Sequence, residues 1–475
     1  MFEVSSIRFK RWLPISTVTM SVLLSACSAH YTVNQPTGQV APEEIYGLRN
    51  PALGGRHPSM LFLISFSGGG TRAAAFSYGV LEELARTSVS YDGENERLLD
   101  EIDGIMSVSG GSFTAAYYGL FGDRIFEDFD EKFLKKNVQG MLTRGVLSPF
   151  SWPKLSSPYY GRSELAAEIY DRILFEGKTY QDLLDRKGPA IFINATDVAL
   201  GAQFTFFSNQ FYLLCSDLLD FPVSRAVTAS SAVPVAFNTV VLRNYAGTCP
   251  LSIPAWFEDV LERRDTRSRQ YNQAVLLSAY LDPEERPFVH LLDGGLSDNL
   301  GVRTLLDQVF VRGGVWNALK QGGMEHLTKI VVMVVNAEAN RDLSSAKRDT
   351  SIPIFDTILA STSVPLNHYS FETVALLRQQ MDLWEGEIAD GRCREMAEKK
   401  ASGEAVQSES ACSDITTYLI EVNLDLISDP DERAFLQSQP TSFVLEPDAV
   451  DRLKEAGART LIKSPEYQQL LKDLR

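Results

Sequence analysis

Short runs that are apolar at nearly every position alternate with stretches whose apolar residues recur every three or four positions. Met60–Phe66, Ile102–Val108, Ala190–Thr196, Phe237–Leu242, Phe288–Leu292 and Ile330–Asn336 have the length and character of buried strands. Between the first two lies Ala73–Leu84, which reads as a helix with Phe76, Val80, Leu81 and Leu84 on one face. The alternation predicts an α/β domain built on a largely parallel central sheet from Met60 to about Ala337. Trp256–Leu281 mixes Glu258, Asp259, Glu262, Arg263 and Arg264 with apolar residues, which suits a solvated helix or a lid. Gly391–Asp414 is polar and bounded by cysteines, the pattern of a surface loop. Beyond it Thr416–Ile427 alternates like a strand and Pro447–Leu474 reads as helices. With Phe443, Val450, Leu453 and Leu461 available for packing, this tail is expected to dock on the core as an edge strand and added helices.

Two strand ends carry unusual chemistry. Gly104–Val108 runs into Ser109-Gly110-Gly111, so a serine stands between very small neighbours where a strand gives way to a helix. A nucleophilic serine is presented on such a turn, whose crowding demands small residues two before and two after it. Ser109 has Ser107 and Gly111 there. Ser107 would have Ile105, and Ser112 would lie inside the helix. Ser109 is therefore the candidate nucleophile, with Gly110 and Gly111 supporting the turn.

Upstream, Met60–Phe66 is followed by Ser67-Gly68-Gly69-Gly70-Thr71-Arg72. Glycines at a strand-to-helix junction leave backbone N–H groups bare, and the helix dipole adds positive potential there. Gly68, Gly69 and Gly70 thus suit an oxyanion hole, where one lost donor costs about 3–4 kcal/mol. The loop lacks the Lys-Ser/Thr ending of a Walker motif and the spaced glycines of a dinucleotide site. Arg72 either orients the loop, holds an anionic group or makes a structural salt bridge.

Phe288–Leu292 ends at Asp293-Gly294-Gly295. A carboxylate at the carboxyl end of a strand in an α/β sheet lies where sites form, so Asp293 is the candidate base. None of the five histidines competes well. His290, three residues before Asp293, belongs on the opposite face of the strand. His30, His57, His326 and His368 lie in no supporting motif. The residues point to a Ser109–Asp293 dyad.

These motifs, in this order, resemble those of the patatin-like phospholipase family: Gly68-Gly69-Gly70-Thr71-Arg72, Ser107-Val108-Ser109-Gly110-Gly111 and Asp293-Gly294-Gly295. Ala229–Phe237 is similar to the family's small-residue helix, and the likeness extends from about Met60 to Val335. The resemblance implies a patatin-like three-layer fold, a Ser–Asp dyad, the glycine loop as oxyanion hole and hydrolysis of acyl lipids. Ser107 departs from the glycine usual at that position.

The amino terminus suggests where such an enzyme would work. Arg8, Lys10 and Arg11 precede the apolar stretch Leu13–Leu24, which is too short to span a bilayer, and Leu24-Ser25-Ala26-Cys27 resembles a bacterial lipobox. Residues 1–26 are then a signal peptide, Cys27 a lipidated residue, 27–59 a tether, 60–390 the catalytic domain and 391–475 an extension. Ser28 after the cysteine points to the outer membrane. Cys215, Cys249, Cys393 and Cys412 remain, an even number suited to an oxidising compartment. Of three possible pairings, proximity favours Cys215–Cys249 and Cys393–Cys412. No cofactor is called for, and no Cys/His cluster suggests a metal. The net charge of −16 argues against a nucleic-acid partner and against broad attraction to anionic lipid. The membrane is the expected partner, through the anchor and as source of substrate; the sequence sets no oligomeric state. The leading expectation is a phospholipase or lysophospholipase. An acyltransferase remodelling envelope lipids and a catalytically silent lipid-binding envelope protein are the alternatives.

Overall fold

A computed structural model describes residues 34–37, 57–91, 94–251, 253, 255–339, 349, 351, 354–403 and 412–474. The signal segment, Cys27 and most of the tether lie outside the described residues. In chain order the strands are β1 (Met60–Phe66), β2 (Ser88–Tyr91), β3 (Glu94–Arg97), β4 (Gly104–Val108), β5 (Ala190–Asp197), β6 (Ala202–Phe206), β7 (Val240–Arg243), β8 (Phe288–Asp293), β9 (Lys329–Asn336) and β10 (Thr416–Asn423). The helices needed below are α1 (Gly70–Arg86), α2 (Gly110–Phe121), α3 (Val138–Leu147), α4 (Arg162–Tyr170), α5 (Val223–Ser230), α6 (Ala255–Arg263), α7 (Arg269–Ser278), α8 (Arg303–Val311), α9 (Ile354–Ala401), α10 (Pro447–Lys463) and α11 (Pro465–Asp473).

The main sheet has the order β10-β9-β1-β4-β5-β8-β7, with β6 also paired to β5. Strands β10, β9, β1, β4 and β5 are mutually parallel; β6 and β8 run antiparallel to β5. The apolar runs are continuous because both faces are covered. Along β1, Phe62, Ile64 and Phe66 enter one core while Leu61 and Leu63 enter the other. Along β9, Val331, Met333 and Val335 divide from Ile330, Val332 and Val334 in the same way. Helices α1, α2, α5 and α10 fill the first core, and α8 and α9 the second. The period-two alternation of a strand thus builds three layers.

Three sequence expectations are corrected. The run Phe237–Leu242 forms strand only at Val240–Arg243, because the chain turns through Val233–Phe237 after α5. The strand expected at Thr416–Ile427 stops at Asn423, whose side chain caps a short 3₁₀ turn. Gly391–Asp414 is not a loop over its first half: α9 continues to Ala401, as the strong helix formers of Arg394–Ala401 favour. Cys393 near its end is bonded to Cys412, and Cys215 to Cys249.

The tail lies against the core. β10 extends the sheet beside β9, and α10 crosses α1 so closely that a Cβ on Gly79 would sit 1.9 Å from the Lys454 carbonyl oxygen. The insert holds two helices, α6 and α7. It is anchored where Arg286 and the Tyr280 hydroxyl each reach the buried Asp197 carboxylate at 2.8 Å, and Gln270 on α7 donates to the Val311 carbonyl at the end of α8.

Candidate active site

Parallel pairing of β1 with β4 sets the two glycine-bearing turns side by side at the carboxyl ends of their strands. Ser109 leaves β4 with φ 48° and ψ −117°, a conformation costly for any residue with a side chain and held by its surroundings. Those surroundings are backbone. A Cβ on Gly110 would lie 2.1 Å from the Gly70 carbonyl oxygen, and one on Gly111 would lie 2.7 Å from the Phe66 and Ser67 oxygens. The small residues flanking Ser109 are therefore required by the contact between the two turns.

Asp293 reaches the serine by a route unlike the one the sequence suggested. β8 is antiparallel to β5, pairing Asp293 with Ala195, while β4 pairs Val108 with Asn194. The antiparallel strand thus ends level with Ser109. The Ser109 hydroxyl donates to Asp293 Oδ2 at 2.9 Å, and the Gly295 N–H donates to Oδ1 at 2.8 Å. Alternation along β8 leaves His290 exposed, with Nδ1 against the Thr239 hydroxyl. Gly294 fits because a Cβ would lie 2.3 Å from the Asn194 carbonyl oxygen.

Burial decides the state of the carboxyl group. Asp293 is 8% exposed, and desolvation raises its pKa from 3.8 to about 6, against the opposing pull of the Gly295 N–H and the Ser109 hydroxyl. It is still a carboxylate at neutral pH, and a more basic one than an exposed aspartate.

The glycine loop divides its donors. Gly68 N–H donates to the Asn299 carbonyl and Thr71 N–H to the Ser442 carbonyl, each at 2.9 Å. Among the described residues the N–H groups of Gly69 and Gly70 have no partner. Of the three glycines singled out from sequence, Gly68 has no free donor, but it lies so close to Ser109 that a Cβ would stand 3.3 Å from the serine Cβ. Gly69 at φ 140° and Gly70 at φ 60° adopt backbone conformations suited to glycine.

Arg72 is 3% exposed and turns away from solvent. It donates through Nε to the Ala337 carbonyl at 2.8 Å, through Nη1 to the Gln439 carbonyl, and through Nη2 to the Thr441 hydroxyl at 3.2 Å. Burial lowers its pKa to about 10, with Glu338 acting the other way. Of the readings weighed from sequence, orientation of the loop fits these contacts.

Sequence reasoning missed a polar scaffold beneath the serine. Ser230, at the end of α5, accepts the Ser109 N–H at 2.9 Å and donates to the Asn194 carbonyl at 2.6 Å. The Ser112 hydroxyl lies 3.0 Å from Ser230 Oγ and donates to Ser107 Oγ at 3.1 Å. Ser107, where the family pattern has glycine, donates in turn to the Phe192 carbonyl at 3.3 Å. Its extra hydroxyl is absorbed into this network. The small-residue stretch from Ala229 was visible in sequence, but nothing local showed that it lies under a turn 121 residues away. No cluster of three or more His, Cys, Asp or Glu side chains with metal-binding geometry occurs among the described residues.

Fold and site together define an α/β protein with a serine on a strained strand-to-helix turn, paired directly with a buried carboxylate. The chain belongs to the patatin-like phospholipase family, whose model matches residues 64–306, just over half of its length. No curated protein matches it in sequence. Among solved structures it is similar to human GIVD cytosolic phospholipase A2, at 13% identity and a TM-score of 0.45, covering 96% of this chain and 66% of that one. The same human protein bound to methyl gamma-linolenyl fluorophosphonate matches at 12% identity and a TM-score of 0.40, covering 96% of this chain and 64% of that one. The chain thus spans slightly less than two thirds of the length of these structures.

Proposed function

We propose that the protein is a serine acyl hydrolase of lipid esters, a phospholipase or lysophospholipase, working through Ser109 and Asp293. The observation that carries this reading is the 2.9 Å hydrogen bond from Ser109 to Asp293 beside the two unpartnered N–H groups of Gly69 and Gly70. Ser109 Oγ attacks the ester carbonyl carbon as its proton passes to Asp293 Oδ2. The carbonyl oxygen becomes an oxyanion held by the Gly69 and Gly70 N–H groups. Collapse breaks the bond to the alcohol, which leaves with the proton from Asp293. Water then attacks the acyl-serine, giving its proton to Asp293, and release of the fatty acid returns that proton to Ser109. The pKa of about 6 leaves Asp293 ionised at neutral pH and more basic than a solvated aspartate.

Membrane attachment completes the reading. Acylation of Cys27 would hold the enzyme on the bacterial envelope, at the outer membrane, beside its substrate. Among the described residues no helix is long and apolar enough to cross a membrane.

The test is incubation of the purified protein with a mixed lipid extract, with products identified by mass, alongside labelling by a fluorophosphonate. Free fatty acid and a label on Ser109 are expected, and both should vanish in Ser109→Ala. Unchanged hydrolysis in that variant would refute the assignment. Acyl transfer to a second lipid in place of water would move the protein to the acyltransferases.

A further inference from the structure

A second surface bears on how such a site meets lipid. Between Glu131 and Glu164 the chain has no acidic residue and six basic ones: Lys132, Lys135, Lys136, Arg144, Lys154 and Arg162. In a chain of net charge −16 this is a local reversal along the sequence. Lys132 is paired with Asp128 and Glu176, however, and Lys135 with Asp130 and Asp451, which leaves Arg144, Lys154 and Arg162 to flank the exposed segment. Within it, from the end of α3 to the residues before α4, large apolar side chains face solvent. Phe150 is 94% exposed, Leu147 66%, Trp152 60% and Tyr159 53%. They alternate with Ser148, Pro149, Ser151, Pro153, Ser156 and Pro158, which leave little helix for the apolar groups to pack on.

Both ends of this segment are tied to the site. At its start, the Gln139 N–H donates to the Phe443 carbonyl, and the Gln139 side chain accepts the Phe443 N–H. The adjacent Ser442 carbonyl receives the Thr71 N–H of the glycine loop. From there α3, ten residues long, runs about 15 Å to the apolar tip. At the other end, the Arg162 N–H and the Ser163 hydroxyl grip Asn238. Asn238 closes the stretch that begins at Ala232, whose carbonyl accepts the Asp293 N–H.

We propose that residues 147–159 form an interfacial docking surface, in which Leu147, Phe150 and Trp152 enter an anionic phospholipid surface and Tyr159 lies at its headgroup level. The inference rests on the lipid-hydrolase reading for its purpose, but its physical basis is separate. Trp and Tyr favour the boundary between headgroups and chains, and Phe and Leu favour the chains. Arg144 and Arg162 have no acidic partner among the described residues, and Lys154 is half-exposed beside its only one, Glu168. The patch is thus apolar at its tip and basic at its rim, complementary to anionic lipid despite the acidity of the whole chain. An N-terminal anchor would bring the protein to the membrane without orienting it; this surface would turn the site toward the lipid.

The experiment places the full chain on phosphatidylcholine vesicles, with and without phosphatidylglycerol, whose acyl chains carry bromine. Quenching of tryptophan fluorescence is expected, stronger with the anionic lipid, and the component due to Trp152 should disappear in Trp152→Phe, leaving only what Trp12 of the N-terminal segment contributes. Phe150→Ser/Trp152→Ser should hydrolyse vesicle lipid at least about tenfold more slowly, given the apolar area withdrawn from the membrane. It should turn over a water-soluble short-chain ester at the unchanged rate. Absence of any Trp152-dependent quenching overturns the proposal, as does equal vesicle hydrolysis by the double variant. A change of oligomeric state in that variant without quenching would make the patch an interface between copies of the chain, also against it. If the protein hydrolysed no ester, the quenching measurement would still decide the docking by itself.

Discussion

Asp293→Asn separates what the carboxylate does for chemistry from what it costs the fold. Burial raises the Asp293 pKa from 3.8 to about 6, so the folded protein favours the protonated form. Between those values the native state holds more protons than the unfolded one, and stability must fall as pH rises through that interval. Above about pH 6 the full penalty applies. At about 1.4 kcal/mol per pH unit it comes to about 3 kcal/mol. Asparagine is neutral throughout and nearly the same shape. Its oxygen can still accept the Gly295 N–H, and its amide can donate to Ser109 Oγ. The variant should therefore be more stable than the parent by about 3 kcal/mol at pH 8, and equal to it at pH 3.5 and below. At the same time ester turnover should fall by about 10³-fold, because an amide cannot take the serine proton. The assay is urea unfolding of both proteins across that pH range, taking the difference between them. The difference matters because Asp307 is also raised to about 6, and Asp298 is raised by burial, so the parent curve alone mixes three groups. Equal stability at pH 8, or a gain that does not close at acid pH, would refute the claim that the folded site holds a strained carboxylate.

With no histidine at Ser109 among the described residues, kcat/KM for a neutral short-chain ester should fall below about pH 6 with a slope of one, as Asp293 takes up a proton; an acid limb near pH 7 that persists in Asp293→Asn would point to another base. Gly110→Ala should abolish activity and cost about 2–3 kcal/mol in unfolding, because the added methyl would meet the Gly70 backbone 2.1 Å away and no rotamer relieves it. Arg72→Lys should lower kcat for neutral and anionic esters alike with little change in KM, since the lost bonds hold the loop and not a headgroup; a rise in KM confined to anionic lipids would reverse that assignment.

The sheet was legible because strands buried on both faces leave uninterrupted apolar runs, and β1 and β9 could be bounded within a residue or two. The serine turn and glycine loop were legible because close approach of two backbones leaves glycine at each of them, a mark that can be read without knowing what lies opposite. What depended on pairing was not. Nothing in Phe288–Asp293 says that β8 runs antiparallel to β5, yet that direction brings Asp293 level with Ser109. Ser230 and Asn194 meet the serine turn only through strand order. The helical continuation to Ala401 was missed because polarity was read as loop where Glu, Lys, Met and Ala also favour helix.

The tail shows how far the site extends beyond the span that identifies the family. Ser109, Asp293 and the three glycines all lie within residues 64–306, but among the described residues every acceptor of the Arg72 guanidinium lies outside it, at Ala337, Gln439 and Thr441. So does Ser442, whose carbonyl takes the Thr71 N–H and whose backbone stands within 2.5 Å of where a Gly70 side chain would begin. Ordering a glycine costs more backbone entropy than any other residue, about 1–2 kcal/mol or somewhat above, and three stand in a row. Hydrogen bonds from a buried cation are worth about 1.5–3 kcal/mol each, which is the right size to offset that cost. The loop's shape is therefore not a property of the loop. Phe443, held by edge-on and tilted ring contacts with Phe113, Phe133 and Tyr170, fixes the segment that fixes Arg72, and Arg72 fixes the two free N–H groups. A chain cut after the family span would keep every motif residue and lose the geometry that makes them a site.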